Sequence, residues 1–433
     1  MFPRGMGVSP MLLAGPIHSA PHQHTGRMPV PRSSYPAPVP RIALFTDTLA
    51  DINGVARFVQ ALAAHAPNIH ILTSTRHAVP IAPSIHNIPP LLACNMPGYA
   101  LLDLALPSPG ALLARAAALR PDAVHVSTPG PVGLAGRRFA LRHRLPLIGT
   151  YHTDFPAYVD HLFDDAALTA VAACALRRFY APFDRVLVRS AGVASRVASL
   201  GIHTDRIIAL RPGIDTDRFH PRHRDHSIWS TFPGIRAPSI KLLYVGRVSV
   251  EKNLPMLARI WPRLRAAAHT RGLDTQLIII GDGPYRVAMQ RDLATHDAVF
   301  LGFRHGDDLA RLYASSDLFL FPSTTDTLGQ AVMEAQASGL PAIVSDQGGP
   351  CEMVVHDRTG LVLGAAQDWC AAALALITDP TRRARMSIAA RDRLAPMTIA
   401  CSVQHFLHLH EFNHQQFQKH KPGHALARGP ARR

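Results

Sequence analysis

Short apolar runs punctuate the whole chain, and most of them lead through a loop into a helical pattern. Arg41–Phe45, Ile69–Thr73, Ala123–Ser127, Leu145–Thr150, Arg185–Val188 and Ile207–Leu210 read as strands. Lys241–Val245, Gln276–Ile280, Ala298–Leu301, Leu318–Phe321 and Ala342–Ser345 repeat the design. Several are apolar throughout rather than alternating, which suits a parallel sheet covered on both faces. The stretch after Asn53-Gly54 carries Val55, Phe58, Val59 and Leu62 at the three-and-four spacing of an amphipathic helix. Strands alternating with helices predict α/β layers. Two such halves, joined near Gly213–Pro221, predict two doubly wound domains with a cleft between them. Pro262 falls inside the helical pattern that follows Asn253, so a kink or short break is expected there.

A chain of 433 residues is long enough for two domains. With 47% hydrophobic and 17% charged residues it can bury substantial cores. Residues 1–40 are rich in Pro, Gly and Ser without periodicity and read as disordered, as does a basic tail over 413–433. Between them lie domains over 41–212 and 213–395, then a helix over 396–412 that crosses back. The formal charge of +15 invites a nucleic-acid reading, but eight of those charges sit in the two tails and no base-stacking motif appears. No apolar run is long enough to span a bilayer, and the first twenty residues make a poor secretory signal. Cys94, Cys174, Cys351, Cys370 and Cys401 show no paired spacing, which suits reduced thiols in a cytoplasm.

Ligands of open α/β sheets bind outside the carboxyl ends of the strands. In the second half these ends carry Gly246-Arg247 with Lys252 shortly after, then Gly281-Asp282-Gly283-Pro284, then Pro322-Ser323 leading to Asp326, and finally Ser345–Pro350. In a parallel sheet all four loops open on one rim. The segment Asp326-Thr327-Leu328-Gly329 leads into a helix bearing Glu334. Amide groups at a helix start attract phosphate, a carboxylate further along can hold a ribose diol, and one in the loop can reach sugar hydroxyls. Two cations, a helix start and several glycines on one rim fit a nucleotide-activated sugar. No metal is required if Arg247 and Lys252 supply the positive charge.

Tyr244–Leu254, Gly281–Pro284 and the pattern Phe-Pro-Ser-x3-Thr-Leu-Gly-x4-Glu-Ala-x-Ala-Ser-Gly-Leu-Pro resemble retaining glycosyltransferases of family four, which have the GT-B fold of two Rossmann-like domains facing a central cleft. The likeness spans roughly residues 41–412. Asp47–Val55 looks like the family's glycine loop, and Tyr151-His152-Thr153-Asp154 like its central histidine strand end. Thr-Asp-Thr-Leu-Gly and His-Thr-Asp-Phe resemble bacterial GDP-mannose-dependent α-mannosyltransferases and related glycolipid enzymes. The resemblance implies that Arg247 and Lys252 bind the donor diphosphate and that Glu334 holds the ribose. It implies that Asp326, with the backbone of Leu328 and Gly329, contacts sugar and phosphate, that His152 approaches the sugar from the other domain, and that Gly54 lets its loop come near the phosphates. Gly246, Gly281 and Gly283 would line the same donor site. The implied reaction moves a hexosyl group, mannosyl before others, from GDP-mannose or a UDP-sugar to a lipid or saccharide acceptor with retention, without cofactor or metal. Asp326 departs from the family's usual Glu, which leaves the sugar open.

Each residue also has a plainer account. Arg247 and Lys252 can be surface charges, His152 is one of 25 histidines, and Gly54 can be a turn residue. Arg137, Arg138, Arg142 and Arg144 can be a solvated helix face, or a contact with anionic lipid at the inner membrane face. Asp215-Thr216-Asp217 resembles a metal-binding pair but lacks a strand directly before it. The competing readings are a sugar-nucleotide epimerase of the same fold, for which no acid/base carboxylate pair is evident, and a non-catalytic sugar-nucleotide-binding protein.

Overall fold

The structure, a computed structural model, describes residues 39–420 apart from 52, 97 and 98. The expected disordered segment therefore lies almost wholly outside the described residues, as do residues 421–433 of the tail. The first half contains strands β1 Ile42–Phe45, β2 Ile69–Thr73, β3 Ile85–Asn87, β4 Pro90–Met96, β5 Tyr99–Pro107, β6 Ala123–Val126, β7 Leu147–Tyr151, β8 Arg185–Val188 and β9 Ile207–Ala209. Seven of them form a sheet in the order β3-β2-β1-β6-β7-β8-β9, while β4 and β5 pair as an antiparallel hairpin. The second half contains β10 Ile240–Val245, β11 Thr275–Ile280, β12 Ala298–Gly302, β13 Leu318–Phe321, β14 Ala342–Ser345 and β15 Gly360–Leu363, ordered β12-β11-β10-β13-β14-β15. Neighbours in both large sheets run parallel.

The apolar runs explain these sheets. Residues of β1, β10, β11, β13 and β14 are buried on both faces, so an alternating pattern would have placed polar groups in a core. Strand order reverses beside β1 and β6 in one sheet and beside β10 and β13 in the other. Those are the points where a doubly wound sheet leaves a crevice. In the first half that crevice is filled by Asp47. Its carboxylate accepts from the Thr128 hydroxyl (2.6 Å) and from the Val132 (2.8 Å) and Gly133 (3.3 Å) amides. Asp47 thus serves the start of helix Pro131–His143, whose N-cap Gly130 has no side chain to do so. Burial pushes the Asp47 carboxyl up and these hydrogen bonds pull it back. In the second half the corresponding rim holds the Asp326 loop.

Three elements escaped the apolar-run reading. β3 and β15 are short edge strands, and the hairpin leaves Leu91, Leu92 and Leu106 exposed. Helix Leu254–His269 runs unbroken through Pro262; its buried face, with Leu257, Trp261 and Leu264, holds it against the sheet. The basic tail expected from residue 413 is helical as far as Lys419, because helix Ile399–Lys419 buries His410 and Asn413 beyond the last predicted apolar position. Asp215 caps a turn through the Asp217 (3.2 Å) and Arg218 (2.9 Å) amides.

The chain passes between the halves twice, side by side. Ile214 donates to Met397 O and accepts from Ile399 N, and the Ser402 hydroxyl donates to Arg211 O at 2.7 Å. The C-terminal helix then lays Val403 and Phe406 into the core of the first sheet. Behind Phe406, His410 Nε2 meets His125 Nδ1 at 3.1 Å, and His125 Nε2 meets the Thr150 hydroxyl at 3.1 Å. Burial holds both rings below the ordinary histidine range, His410 at about 3. In the unfolded chain they take up protons near 6.5, so the unfolded state binds more protons below that pH and stability falls as pH drops towards 3. We expect the melting temperature to decline between about pH 7.5 and pH 5, and to decline less steeply in His410→Gln, as scanning calorimetry would show. Equal slopes would mean that this pair does not titrate on unfolding.

Candidate active site

The second-half loops meet on one rim because β10, β11, β13 and β14 run in one direction. Their contact is backbone on backbone. Gly281 has φ +129°, and a Cβ there would stand 1.9 Å from Gly246 O. A Cβ on Gly283 would lie 2.5 Å from Val248 O. Close packing between adjacent loops therefore accounts for glycine at 281 and 283 without any ligand. The Asp326 loop is pinned from its other side, where Gly349 N donates to Asp326 O at 2.7 Å. Gly329, at φ +81°, begins helix Gln330–Ala337 without a side-chain cap. A Cβ on Gly329 would press on Pro350 Cα at 2.8 Å. Leu328 fixes this turn by burying its side chain in the core.

On this rim two of the expected donor residues meet. Lys252 Nζ donates to Asp326 Oδ1 at 2.9 Å, while Asp326 Oδ2 is buried with no partner among the described residues. Arg247 is half-buried on the loop after β10, and its carbonyl accepts from the Tyr244 hydroxyl at 2.8 Å. Glu334 is 2% exposed, so it is not a solvated helix residue. Its Oε2 accepts from the Tyr313 hydroxyl at 3.1 Å and its Oε1 is paired with Arg57. Burial pushes the Glu334 carboxyl up, and Arg57 and Tyr313 pull it back.

The first half supplies the facing wall. His152 follows β7, and its carbonyl accepts from the Thr327 hydroxyl at 2.6 Å, which ties the two rims together. His152 Nε2 is buried with no partner among the described residues. Burial, and then the Arg189 cation, hold its ring well below the ordinary histidine range, so it is neutral. Gly54 opens helix Gly54–His65 opposite the Glu334 helix. A Cβ at Gly54 would lie 3.7 Å from Gln330 Cβ, an ordinary contact, so protein atoms alone do not demand glycine there. Beside Tyr151 runs a crevice of about 350 Å³ of mixed lining, walled by Asp154, Asp160, Arg196 and Leu200 of one half and by Thr325 and Gln347 of the other.

Several residues of this cleft were not legible in the sequence. Arg57 lies one turn beyond Gly54 and 277 positions before its partner Glu334. Glu352 accepts from the Ala191 (2.8 Å) and Gly192 (2.7 Å) amides at the start of helix Ala191–Ser199 in the other half. Arg189 is 6% exposed and stacks over Phe58 at 4.6 Å. Its NH1 has no partner among the described residues. Of the basic cluster, Arg137 donates to Phe179 O at 3.0 Å and is committed to packing, while Arg138, Arg142 and Arg144 are exposed. Lys241 spends its ammonium on the Arg236, Ala237 and Ser239 carbonyls at 2.7, 3.0 and 2.5 Å, so it is structural.

Two parallel sheets with their carboxyl rims turned on one cleft make the GT-B fold. Comparison with known proteins gives the family. Residues 52–218 match the family described as Glycosyltransferase Family 4, and residues 239–379 match Glycosyl transferases group 1. The GDP-mannose-dependent alpha-mannosyltransferase of Mycolicibacterium smegmatis is 31% identical over 367 residues, covering 83% of this chain and 93% of that protein. The sulfoquinovosyl transferase SQD2 of Arabidopsis thaliana is 29% identical over 265 residues, covering 61% of this chain and only half of its own length. Among solved structures, the sucrose-phosphate synthase of Thermosynechococcus elongatus superposes with a TM-score of 0.68 at 18% identity, covering 87% of this chain and 99% of that one. Anabaena HepE in complex with UDP and glucose does so with a TM-score of 0.66 at 16% identity, covering 86% and 99%. This chain belongs to glycosyltransferase family 4 and is a glycosyltransferase.

Proposed function

We propose that the protein transfers a mannosyl group from GDP-mannose to a saccharide or glycolipid acceptor, with retention of configuration and without a metal ion. The observation that carries this reading is the pair of buried, unpartnered polar atoms, Asp326 Oδ2 and His152 Nε2, on the two rims joined by the Thr327–His152 hydrogen bond. Leaving such atoms unpaired is costly in a dry interior, and sugar hydroxyls would satisfy both. GDP-mannose ranks first because relatives of this chain are named for it; a UDP-sugar is the second choice.

In this arrangement Lys252 and Arg247 neutralise charge growing on the leaving diphosphate, helped by the uncapped start of the Glu334 helix. Lys252 would exchange Asp326 for a phosphate oxygen, which frees the Asp326 carboxylate for sugar hydroxyls. The departing phosphate takes the acceptor proton on the same face of the sugar, so configuration is retained. The neutral His152 ring can donate to or accept from a hydroxyl without adding charge beside the forming oxocarbenium ion. The crevice at Asp160 and Arg196 offers carboxylate, guanidinium, hydroxyl and amide groups to a hydroxyl-rich acceptor.

Lys252→Ala should lower kcat/KM for the donor by roughly a hundredfold to a thousandfold, and Lys252→Arg by less. Turnover should survive chelation by EDTA, and proton NMR of the product should show the donor's anomeric configuration. Inversion, or loss of turnover in EDTA with recovery on adding Mg²⁺, would contradict the mechanism.

Among the described residues no helix is long and apolar enough to cross a membrane. A glycolipid acceptor would then require contact at a bilayer surface, on the cytoplasmic side where nucleotide-sugars are available. Helix Pro131–His143 offers exposed Leu134 and Leu141 beside Arg138 and Arg142 on one face. Vesicles containing anionic lipid should sediment the protein more than neutral vesicles do, and Arg138→Ser with Arg142→Ser should reduce the difference. Equal sedimentation with both vesicle types would remove the membrane contact.

A further inference from the structure

The Glu334 carboxylate receives a ligand of its own from the opposite half of the molecule. Arg57, in the first turn of helix Gly54–His65, reaches across the cleft and pairs with Oε1, while Tyr313 holds Oε2 from within the second half. The two sides differ in a way that bears on function. Tyr313 is buried and travels with Glu334, whereas Arg57 is 43% exposed and belongs to the other rim. The start of its helix, at Gly54, lies beside Gln330, the residue that opens the Glu334 helix.

A ribose diol presents two hydroxyl donors. An ionised carboxylate can accept from both, whereas a protonated one keeps less acceptor capacity and adds a competing donor. Burial works against the charged form of Glu334, and a facing cation offsets that cost. A carboxylate held at both oxygens also has few rotamers left to lose when ribose arrives. With the cleft open, Glu334 would keep Tyr313 and lose its cation.

We infer that Arg57 is a positioning residue of the donor site: it keeps the Glu334 carboxylate ionised and aimed, so that recognition of the ribose depends on the two halves being closed. The inference rests on Glu334 being the ribose-binding group of the proposed function. Arg57 is not assigned to the sugar or to the diphosphate. Its effect is on one contact, and it should therefore be visible as a change in ribose discrimination rather than as a general loss of binding.

The test is calorimetric titration of the full chain with GDP and UDP, and with their 2′,3′-dideoxy forms, in wild type, Arg57→Gln, Arg57→Lys and Glu334→Gln. Wild type should prefer the ribose form of whichever diphosphate binds by at least about tenfold, the weight of one hydrogen bond to a charged group. Arg57→Gln should lose most of that preference while binding the dideoxy form as wild type does, and Arg57→Lys should recover part of it. A folding defect would weaken both forms together and leave their ratio alone. If Glu334→Gln loses the preference and Arg57→Gln keeps it, the positioning role is overturned while the ribose site stands. If Arg57→Gln binds the ribose form more tightly than wild type, Arg57 competes with ribose and the inference is likewise overturned. If Glu334→Gln keeps the preference, or if neither diphosphate binds wild type, the donor site itself is misplaced and the inference falls with it.

Discussion

Everything at the cleft depends on strand direction. Because β10, β11, β13 and β14 are parallel, the Arg247 and Lys252 loop, the glycine loop at 281–284, the Asp326 loop and the Ser345–Pro350 loop all emerge on one rim. Each alone is an ordinary strand end. Together they hold two cations, two carboxylates and an uncapped helix start within one wall. The first sheet does the same for His152, Arg189 and the start of the Arg57 helix. Parallel pairing requires continuous apolar strands with both faces covered, so the hydrophobic pattern that folds the chain is also what gathers its polar groups.

The polar groups so gathered are mostly paired with one another. Lys252 is paired with Asp326, Arg57 with Glu334, and Glu352 with the amides of Ala191 and Gly192. In the proposed donor complex a phosphate oxygen takes the place of Asp326 on Lys252, whereas Arg57 keeps its place on Glu334. Such pairing limits the desolvation cost of closing an empty cleft, since charges leaving water keep a counterion. In the first half the equivalent position is taken by Asp47, which serves the start of helix Pro131–His143.

Much of this was legible in the residues. The apolar runs located eleven of the thirteen strands in the two large sheets, all but the edge strands β3 and β15. The loop motifs singled out Arg247, Lys252, Asp326 and Glu334, and the structure pairs Lys252 with Asp326 and buries Glu334 on the helix that follows. What could not be read were the contacts made across the cleft. Nothing local distinguishes Arg57 from another exposed helix arginine, or Glu352 from another loop acid, because their meaning lies in a partner on the opposite sheet. The hairpin β4–β5 was not among the runs read as strands, and the end of the last helix escaped because His410 and Asn413 are polar yet buried. The glycines at 281 and 283 were legible as special, and loop packing alone requires glycine at both.

The most direct test of the donor site is a crystal structure of the protein with GDP-mannose. The account predicts diphosphate oxygens against Lys252 and Arg247, ribose hydroxyls on Glu334, and mannose hydroxyls on Asp326 and His152. Nucleotide bound on the first-sheet rim, or at the second rim with its ribose away from Glu334, would contradict it.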